Sequence, residues 1–557
     1  MNLLGKACDK NFWKEVREKD CYAFFRDETE KVWLENGESD ILALKYSEFK
    51  LFFTTGDRKI YEKSYFTRRL ALDSAAILAM IYPEEEKYVT KLMDLIFAIC
   101  DEYTWCLPAH QGQNEHNDNA HIDLFAAETA FTLAEIYTLL SDRLDPIIKS
   151  RIETEIKRRV FDSYEAEDPY KHWEHWTNNW VAVCTASVAG AYMLMQPERV
   201  KELLPRFERA MARFLSGYKD DGVCEEGSAY WRYGFGFFTV YADMIKTFTE
   251  GEIDYFKSEK IRRISTFEQK IFLTGTASVS FSDSAPSMRY LLGLNHYLKD
   301  KYPDDVAVYD VSGAYVADHC GRFCLHLRSA TWFNEEYLNN PETKAVEAEY
   351  YLKNSEWLVK KNANYSFAAK GGNNNEFHNH NDVGCFIFAK NGEQIITDPG
   401  GGLYTKNYFD NEKRYLTFEA TSAAHSVPII NGTLQKHGGE YLACGMKFEN
   451  NVLSYDISAA YGIDELKSLV RSYRFENDHV VLCDEFEYSG NGEIIDRIVS
   501  FKAPEVQGDR IIIGDAEIYD FDGVDFTVSE RDVRHGAIYL IDFIVPFGTK
   551  KFECKIK

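Results

Sequence analysis

Cysteine pairing is the first thing missing. The 557-residue chain has twelve cysteines and no Cys-x-x-Cys pair, so neither a paired-thiolate zinc ribbon nor a dithiol redox motif is written into it. The nearest pair, Cys320 and Cys324 in "HCGRFC", has the i,i+4 spacing of two thiols on one helix turn. All twelve read as free thiols in a reducing compartment. Long apolar runs are also missing. No stretch approaches the roughly 20 residues that cross a bilayer, and "MNLLGKACDKNFWKEV" has no signal-type apolar core. The expectation is a cytoplasmic protein with no membrane partner. Positive charge is scarce, with 64 Lys and Arg against 89 Asp and Glu and a net charge of −25. That argues against nucleic acid as a partner and against docking on an anionic membrane. A long anionic polymer would be repelled as well, which favours short oligomers. No fixed-period repeat occurs, so the common repeat families are excluded.

Aromatic residues are plentiful, with 35 Tyr and 38 Phe. Tyr and Trp often line sugar sites, because one ring offers an apolar face and a polar handle; core packing is the alternative use. The first half reads as helix. "DLFAAETAFTLAEIYTLLSDRL" (Asp123–Leu144) sets Leu133, Ile136, Tyr137 and Leu140 on one face of a 3.6-residue period. "SRIETEIKRRVFDSYEAE" and "VKELLPRFERAMARFLSGY" repeat that style, which suggests a bundle, a solenoid or a closed helical toroid. From about Ser355 short β runs take over ("EWLVKK", "YSFAAK", "GCFIFA", "EQIITD", "HVVLCDEF", "RIIIGD"), punctuated by Gly, Asn and Asp. They predict an antiparallel sandwich or barrel. The predicted division is a helical domain over 1–340 and a β domain over 345–557, joined near "YLNNPETKA".

One stretch concentrates chemistry: "NNNEFHNHNDVGCFIFAKNGEQIITDPGGG", Asn373–Gly402. Asn391-Gly392 is a two-residue turn signal, so "VGCFIFAKNGEQIITD" predicts a hairpin that returns Asp398 to the end where "HNHND" begins. If that segment is extended, His378, His380 and Asp382 face one way and Asn379 and Asn381 the other. His425 opens a later β run. His380, Asp398 and His425 make a plausible tetrahedral zinc set with a fourth position open, and another divalent metal suits the same donors. Polar strand ends are the bland alternative.

Two clusters lie in the helical half. "HWEHWTNNWVAV" gathers His172, Trp173, His175, Trp176, Asn178, Asn179 and Trp180, which suits either a sugar platform or an aromatic helix contact. In "DDGVCEEGSAYWRYGFGFF", Glu226 precedes an aromatic helix on which Tyr230 and Tyr233 are i,i+3 neighbours flanking Arg232. A tyrosine hydroxyl near its reference pKa of about 10 is a poor base, unless a nearby cation lowers it.

Taken in order, these clusters resemble the heparinase II/III-like polysaccharide lyases and their alginate and oligoalginate lyase relatives. "KGGNNNEFHNHNDVGCFIFAKNGEQIITDPGGGLY" carries most of the resemblance, with "NNW", "DG…EG…YW", "FSDSAP" (Phe281–Pro286) and "AAHSVPIINGTLQ" (Ala423–Gln435) as further landmarks. It spans roughly residues 120–440. The resemblance implies an N-terminal α/α toroid, an incomplete helical barrel, followed by a C-terminal antiparallel β-sandwich. It implies β-elimination beside a uronic acid, in which the C5 proton is removed, the 4-linked oxygen leaves and a 4,5-unsaturated uronide forms. By position, Asn179 would meet the substrate carboxylate and Tyr230 or Tyr233 would serve as acid, or as base too when elimination is syn. His378 would be the base on the opposite face, while His380, Asp398 and His425 hold a mainly structural zinc. Asn178, Trp176, Trp180, Glu226 and Arg232 would line the substrate, an anionic uronate-containing oligosaccharide of glycosaminoglycan type. Some relatives carry His directly after the paired asparagines, where this chain has Trp180; that departure weighs against an alginate-type substrate. Two other readings stand beside this one. A glycoside hydrolase on a helical toroid would need a carboxylate pair, such as Asp123 with Glu128 or Glu225 with Glu226. A non-catalytic glycan-binding protein would share the fold alone.

Overall fold

The computed structural model describes residues 2–111, 119–170, 173–339, 347–410, 413–521 and 523–557. The chain forms two compact units. The first comprises Met1–Gly217, Tyr230–Arg262 and Arg289–Glu342; the second comprises Tyr218–Ala229, Arg263–Met288 and Thr343–Lys557. Two stretches of the helical half of the sequence are thus built into the β unit. Most of "YLNNPETKA" lies outside the described residues.

The first unit is helical. Its helices α1 (Leu124–Leu140) and α2 (Asn179–Met195) are buried nearly all round, the mark of interior helices. The single apolar face expected of Leu133, Ile136, Tyr137 and Leu140 is therefore too narrow a description. Glu128 and Glu135 are enclosed with the apolar residues, and Tyr137 is the partly exposed one. Both helices have side-chain caps. Asp123 accepts from the amide of Ala126 and Asn178 from that of Trp180, at 2.7 and 3.2 Å. Gly190 lets α2 close on α1, since a Cβ there would sit 2.4 Å from the Phe131 ring. By contrast α3 (Pro197–Ser216) buries Val200, Leu203, Phe207, Ala210, Met211 and Phe214, the one-sided pattern the sequence predicts. Before α4 (Gly236–Phe248) the helix widens into a π segment over Trp231–Phe235.

The second unit is antiparallel β. Strands β1 (Ala348–Leu352), β2 (Trp357–Lys361), β3 (Ser366–Lys370), β4 (Phe386–Lys390) and β5 (Glu393–Ile396) form a five-stranded sheet in the order β5-β4-β3-β2-β1. A four-stranded sheet and an eight-stranded sheet follow in the later sequence. The hairpin turn falls at Asn391-Gly392, both with positive φ (50° and 92°), as the turn signal requires. Phe367, Phe386 and Phe388 pack with Tyr473 and Phe475 in the core.

Two buried polar side chains fix the loops that matter. The Arg471 guanidinium, fully enclosed, pairs with Asp484 at 2.6 Å and donates to the carbonyls of Gly384 and Ser426 at 3.0 and 2.6 Å. The Gln435 amide pairs with the backbone of Val383, accepting at 2.9 Å and donating at 2.7 Å. One cation and one amide thereby tie the segments after "HNHND" and around His425 to the sheets.

Candidate functional site

In the helical unit the π segment lies against the start of α2. Gly234 makes this approach possible, because a Cβ there would stand 2.9 Å from the Asn179 Cβ. Asn179 is 2% exposed and its Oδ1 has no hydrogen-bond partner among the described residues. It occupies the first turn of a 17-residue helix, where unpaired amides and the helix dipole favour an anion. Tyr233 donates its hydroxyl to Glu128 Oε1, and the Arg322 guanidinium lies 3.8 Å over its ring while reaching Glu128 Oε2 at 3.4 Å. Burial pushes the Glu128 carboxyl up to about 7 against the pull of Arg322. Burial, reinforced by Glu128, also holds the Tyr233 hydroxyl well above its ordinary value despite Arg322. A cation is present, then, but it does not make this tyrosine a base; near neutral pH Tyr233 keeps its proton and can give it. Tyr230 closes the short helical turn Ser228–Tyr230, and the π geometry that follows replaces the simple i,i+3 face the spacing predicts.

The remaining helical-unit candidates divide into open and engaged. Trp176 is 38% exposed and meets the half-buried Trp180 edge-on at 5.5 Å. Asn178 serves as the helix cap. Arg232 donates to the backbone carbonyl of Arg289. His172 lies outside the described residues.

In the β unit "HNHND" is a loop of turns, not an extended strand, and His378 adopts a left-handed φ of 56°. The alternation expected of an extended segment therefore fails, and Asp283 organises the histidines instead. Its Oδ2 meets His378 Nδ1 at 2.7 Å and its Oδ1 meets His380 Nε2 at 3.2 Å. Ser282, just before it, is also left-handed (φ 63°). Strained backbone on both sides of one contact marks a constrained, purpose-built junction. Burial opposes charge on Asp283, but the Arg414 guanidinium at 3.0 Å, with the two histidines, holds its carboxyl well below the usual range. His378 Nε2 lies 3.7 Å from Glu226. Asp382 turns away to pair with buried Lys370 at 2.7 Å.

His380, Asp398 and His425 are all fully buried, and their ligand atoms lie within 4.8 Å of one another. Their hydrogen bonding suits a cation. His425 Nε2 donates to the Glu419 carbonyl at 2.9 Å, which turns the Nδ1 lone pair towards Asp398 Oδ2, also at 2.9 Å. His380 donates through Nε2 to Asp283 and leaves a buried Nδ1 without a partner among the described residues. Two imidazole lone pairs and a carboxylate converging in a dry pocket call for a positive charge among them, and carbonyl or carboxylate partners on the outer nitrogens are how metal-binding histidines are oriented. Burial disfavours a proton on His425, yet Asp398 outweighs it and raises its pKa, so a proton and a metal ion compete for the same gap.

Residues 347–513 match the family described as Heparinase II/III-like, C-terminal. Over that segment the chain is similar to the heparinase II/III-like family. No curated protein matches it by sequence. Among solved structures, a heparinase III aligns over 100% of this chain and 92% of its own with a TM-score of 0.61 and 13% identity. A mutant of the heparan sulfate lyase from Pedobacter heparinus covers 100% and 87% at 0.59 and 13%. The chondroitin AC lyase of Streptomyces coelicolor, in complex with chondroitin sulphate, covers 98% and 82% at 0.59 and 10%. At such identities the likeness is one of fold, a helical toroid followed by antiparallel β-sandwich layers.

Sequence reasoning assigns nothing to Asp283, Arg322 and Arg414 and gives Glu128 only a hydrolase's role. "FSDSAP" was a visible landmark for the first. The others lie on a helix (Glu128), just before one (Arg322) or in a short turn (Arg414), with no local motif, and only their partners give them meaning.

Proposed function

We propose that the protein is a polysaccharide lyase that cleaves uronate-containing oligosaccharides, of glycosaminoglycan type, by β-elimination. The observation that carries this reading is Asn179: a buried side chain whose Oδ1 has no partner among the described residues, leaving the Nδ2 to be turned to a substrate as donor, at a helix N-terminus and pressed against the tyrosine-bearing π segment. β-Elimination next to a carboxylate builds negative charge on that carboxylate as C5 loses its proton, so a positioned donor lowers the barrier. The Asn179 amide and the helix dipole are suited to this. The tyrosine, Tyr233 or its neighbour Tyr230, protonates the departing O4. Tyr233 fits as an acid, since its hydroxyl is held protonated and Glu128 and Arg322 fix its direction. His378 is the candidate base of the β unit, with Nδ1 directed to Asp283 and Nε2 bearing the lone pair.

Zinc is the metal we propose for His380, Asp398 and His425. Bound there it would supply a fixed positive charge that secures the "HNHND" loop, a structural task. A cytoplasmic setting, where twelve unpaired thiols persist, belongs to the same proposal. The hydrolase reading loses its acids to other work, because Asp123 caps a helix, Glu128 holds Tyr233 and Glu225 pairs with Lys219.

The test is a panel of heparan, hyaluronan, chondroitin, alginate and pectic oligosaccharides, followed by ultraviolet absorbance of the conjugated C4=C5 product. A rise in absorbance on a uronate substrate is expected. New reducing ends without the chromophore would replace this reading with hydrolysis, and neither signal would leave a binding protein.

A further inference from the structure

The helical unit holds a part-buried histidine–aspartate contact that no motif announced. His110 ends a short turn, Pro108–His110, and its Nδ1 lies 2.7 Å from Asp123 Oδ2. Asp123 is fully buried and also accepts from the backbone amides of Leu107 and Ala126, so it is locked in place by three donors. The imidazole lies parallel to the Phe125 ring (centroids 5.7 Å apart, 10° between planes) and meets Trp180 edge-on at 4.8 Å. Aromatic walls and the aspartate fix its orientation and its tautomer: Nδ1–H donates to the carboxylate, and Nε2 on the far side carries the lone pair. Among the described residues nothing hydrogen-bonds to Nε2, and the side chain is 13% exposed rather than sealed.

Its position matters as much as its geometry. Trp180, which it touches, directly follows Asn179 in the first turn of α2. Asp123, which holds it, caps α1, the helix whose Glu128 takes the Tyr233 hydroxyl. Asn179 in the first turn of α2, His110 through Asp123 and Trp180, and Tyr233 through Glu128 are thus all tied to the N-terminal parts of α1 and α2 within one unit.

Resting on the lyase reading above, but with the base in the helical unit in place of His378, we infer that His110 is the catalytic base of the reaction. Its Nε2 takes the C5 proton. The C5–H electron pair becomes the C4=C5 double bond, the C4–O4 bond breaks with its electrons on O4, and O4 takes a proton from the tyrosine. Imidazolium formed on His110 is stabilised by Asp123, and both groups reset by exchanging protons with water.

The test uses the full-length protein and the best substrate of the panel. His110→Gln keeps size and a donor for Asp123 but has no basic nitrogen, while His110→Ala opens a space beside Trp180. Both are expected to lower kcat by about 10²-fold or more, with KM nearly unchanged and His110→Gln melting at the wild-type temperature. Added imidazole is expected to restore part of the His110→Ala rate, an effect a purely structural role would not produce. A His110→Gln protein that turns over near the wild-type rate, or a folded His110→Ala protein that imidazole does not rescue, overturns the inference and leaves the lyase reading standing. Wild-type protein that forms no unsaturated product from any substrate overturns both.

Discussion

The two units hold histidine–aspartate pairs of opposite character. In the helical unit one imidazole, His110, rests on one carboxylate and keeps a nitrogen without a partner among the described residues. In the β unit His380 and His425 are fully enclosed and share two aspartates, and no water-filled path is needed for what they do. The difference lies in what the second nitrogen faces. A lone pair left open beside solvent can take a proton from a substrate. Lone pairs converging in a dry pocket with a carboxylate can hold a cation and cannot turn over. His378 stands between these extremes, oriented by Asp283 like its neighbour but partly exposed.

Breaking the acid side of the open site gives the largest expected effect. Tyr233→Phe removes one hydroxyl and almost no volume, and loss of a general acid typically costs about 10²–10⁴-fold in rate. Unsaturated-product formation should fall by that amount with substrate binding retained. Tyr230→Phe measured beside it decides between the two tyrosines, and wild-type rates in both would remove tyrosine from the mechanism. Asn179→Ala should also impair kcat, by leaving the substrate carboxylate without its donor.

The enclosed site should respond in stability first. His425→Ala leaves Asp398 buried without its partner, a change that costs on the order of 3–5 kcal/mol. Thermal unfolding should show that loss together with the loss of one zinc per chain by elemental analysis. Chelation of the wild type should reproduce part of it, since metal binding adds to folding stability. Wild-type protein purified without chelator that carries no stoichiometric metal would refute the zinc assignment.

A smaller perturbation tests the fit between the π segment and Asn179. Gly234→Ala places a methyl group 2.9 Å from the Asn179 Cβ. Overpacking of this kind costs roughly 1–3 kcal/mol, and the displaced amide should lower kcat as well. An unchanged melting temperature with an unchanged rate would mean that the contact is not tight.

A pH slope in stability is a further expected effect. Burial, with Glu225 close by, raises the Glu376 carboxyl from 4.5 to about 8 in the folded protein. A raised carboxyl binds its proton more tightly when folded, so this group's contribution is whole below 4.5 and is lost as pH climbs to about 8. Glu376→Gln should flatten that part of the stability–pH curve; an identical slope in both proteins would show that Glu376 is not its source.

The sequence by itself determined whatever depends on neighbours along the chain. Helical periodicity predicted a helical first half, and short β runs with turn residues predicted the strands from Trp357 onward. Asn391-Gly392 fixed a hairpin whose return carries Asp398 back beside His425 and His380, because a two-residue turn dictates which strand ends meet. The tertiary structure decided everything that rests on distant partners. Nothing local to Asp283 says that its two oxygens will hold two histidines almost a hundred residues away. Nothing near His110 reveals the carboxylate thirteen residues on, because that approach depends on the capping turn that leads into α1. The interior helices made the same point in reverse. Glu128 and Glu135 lie on a helix for which periodicity shows only one apolar face, and only tertiary packing encloses them, with the Tyr233 hydroxyl beside the one and Arg328 beside the other. Periodicity records what each residue is. Burial, and with it acidity, is set by what the rest of the chain brings against it.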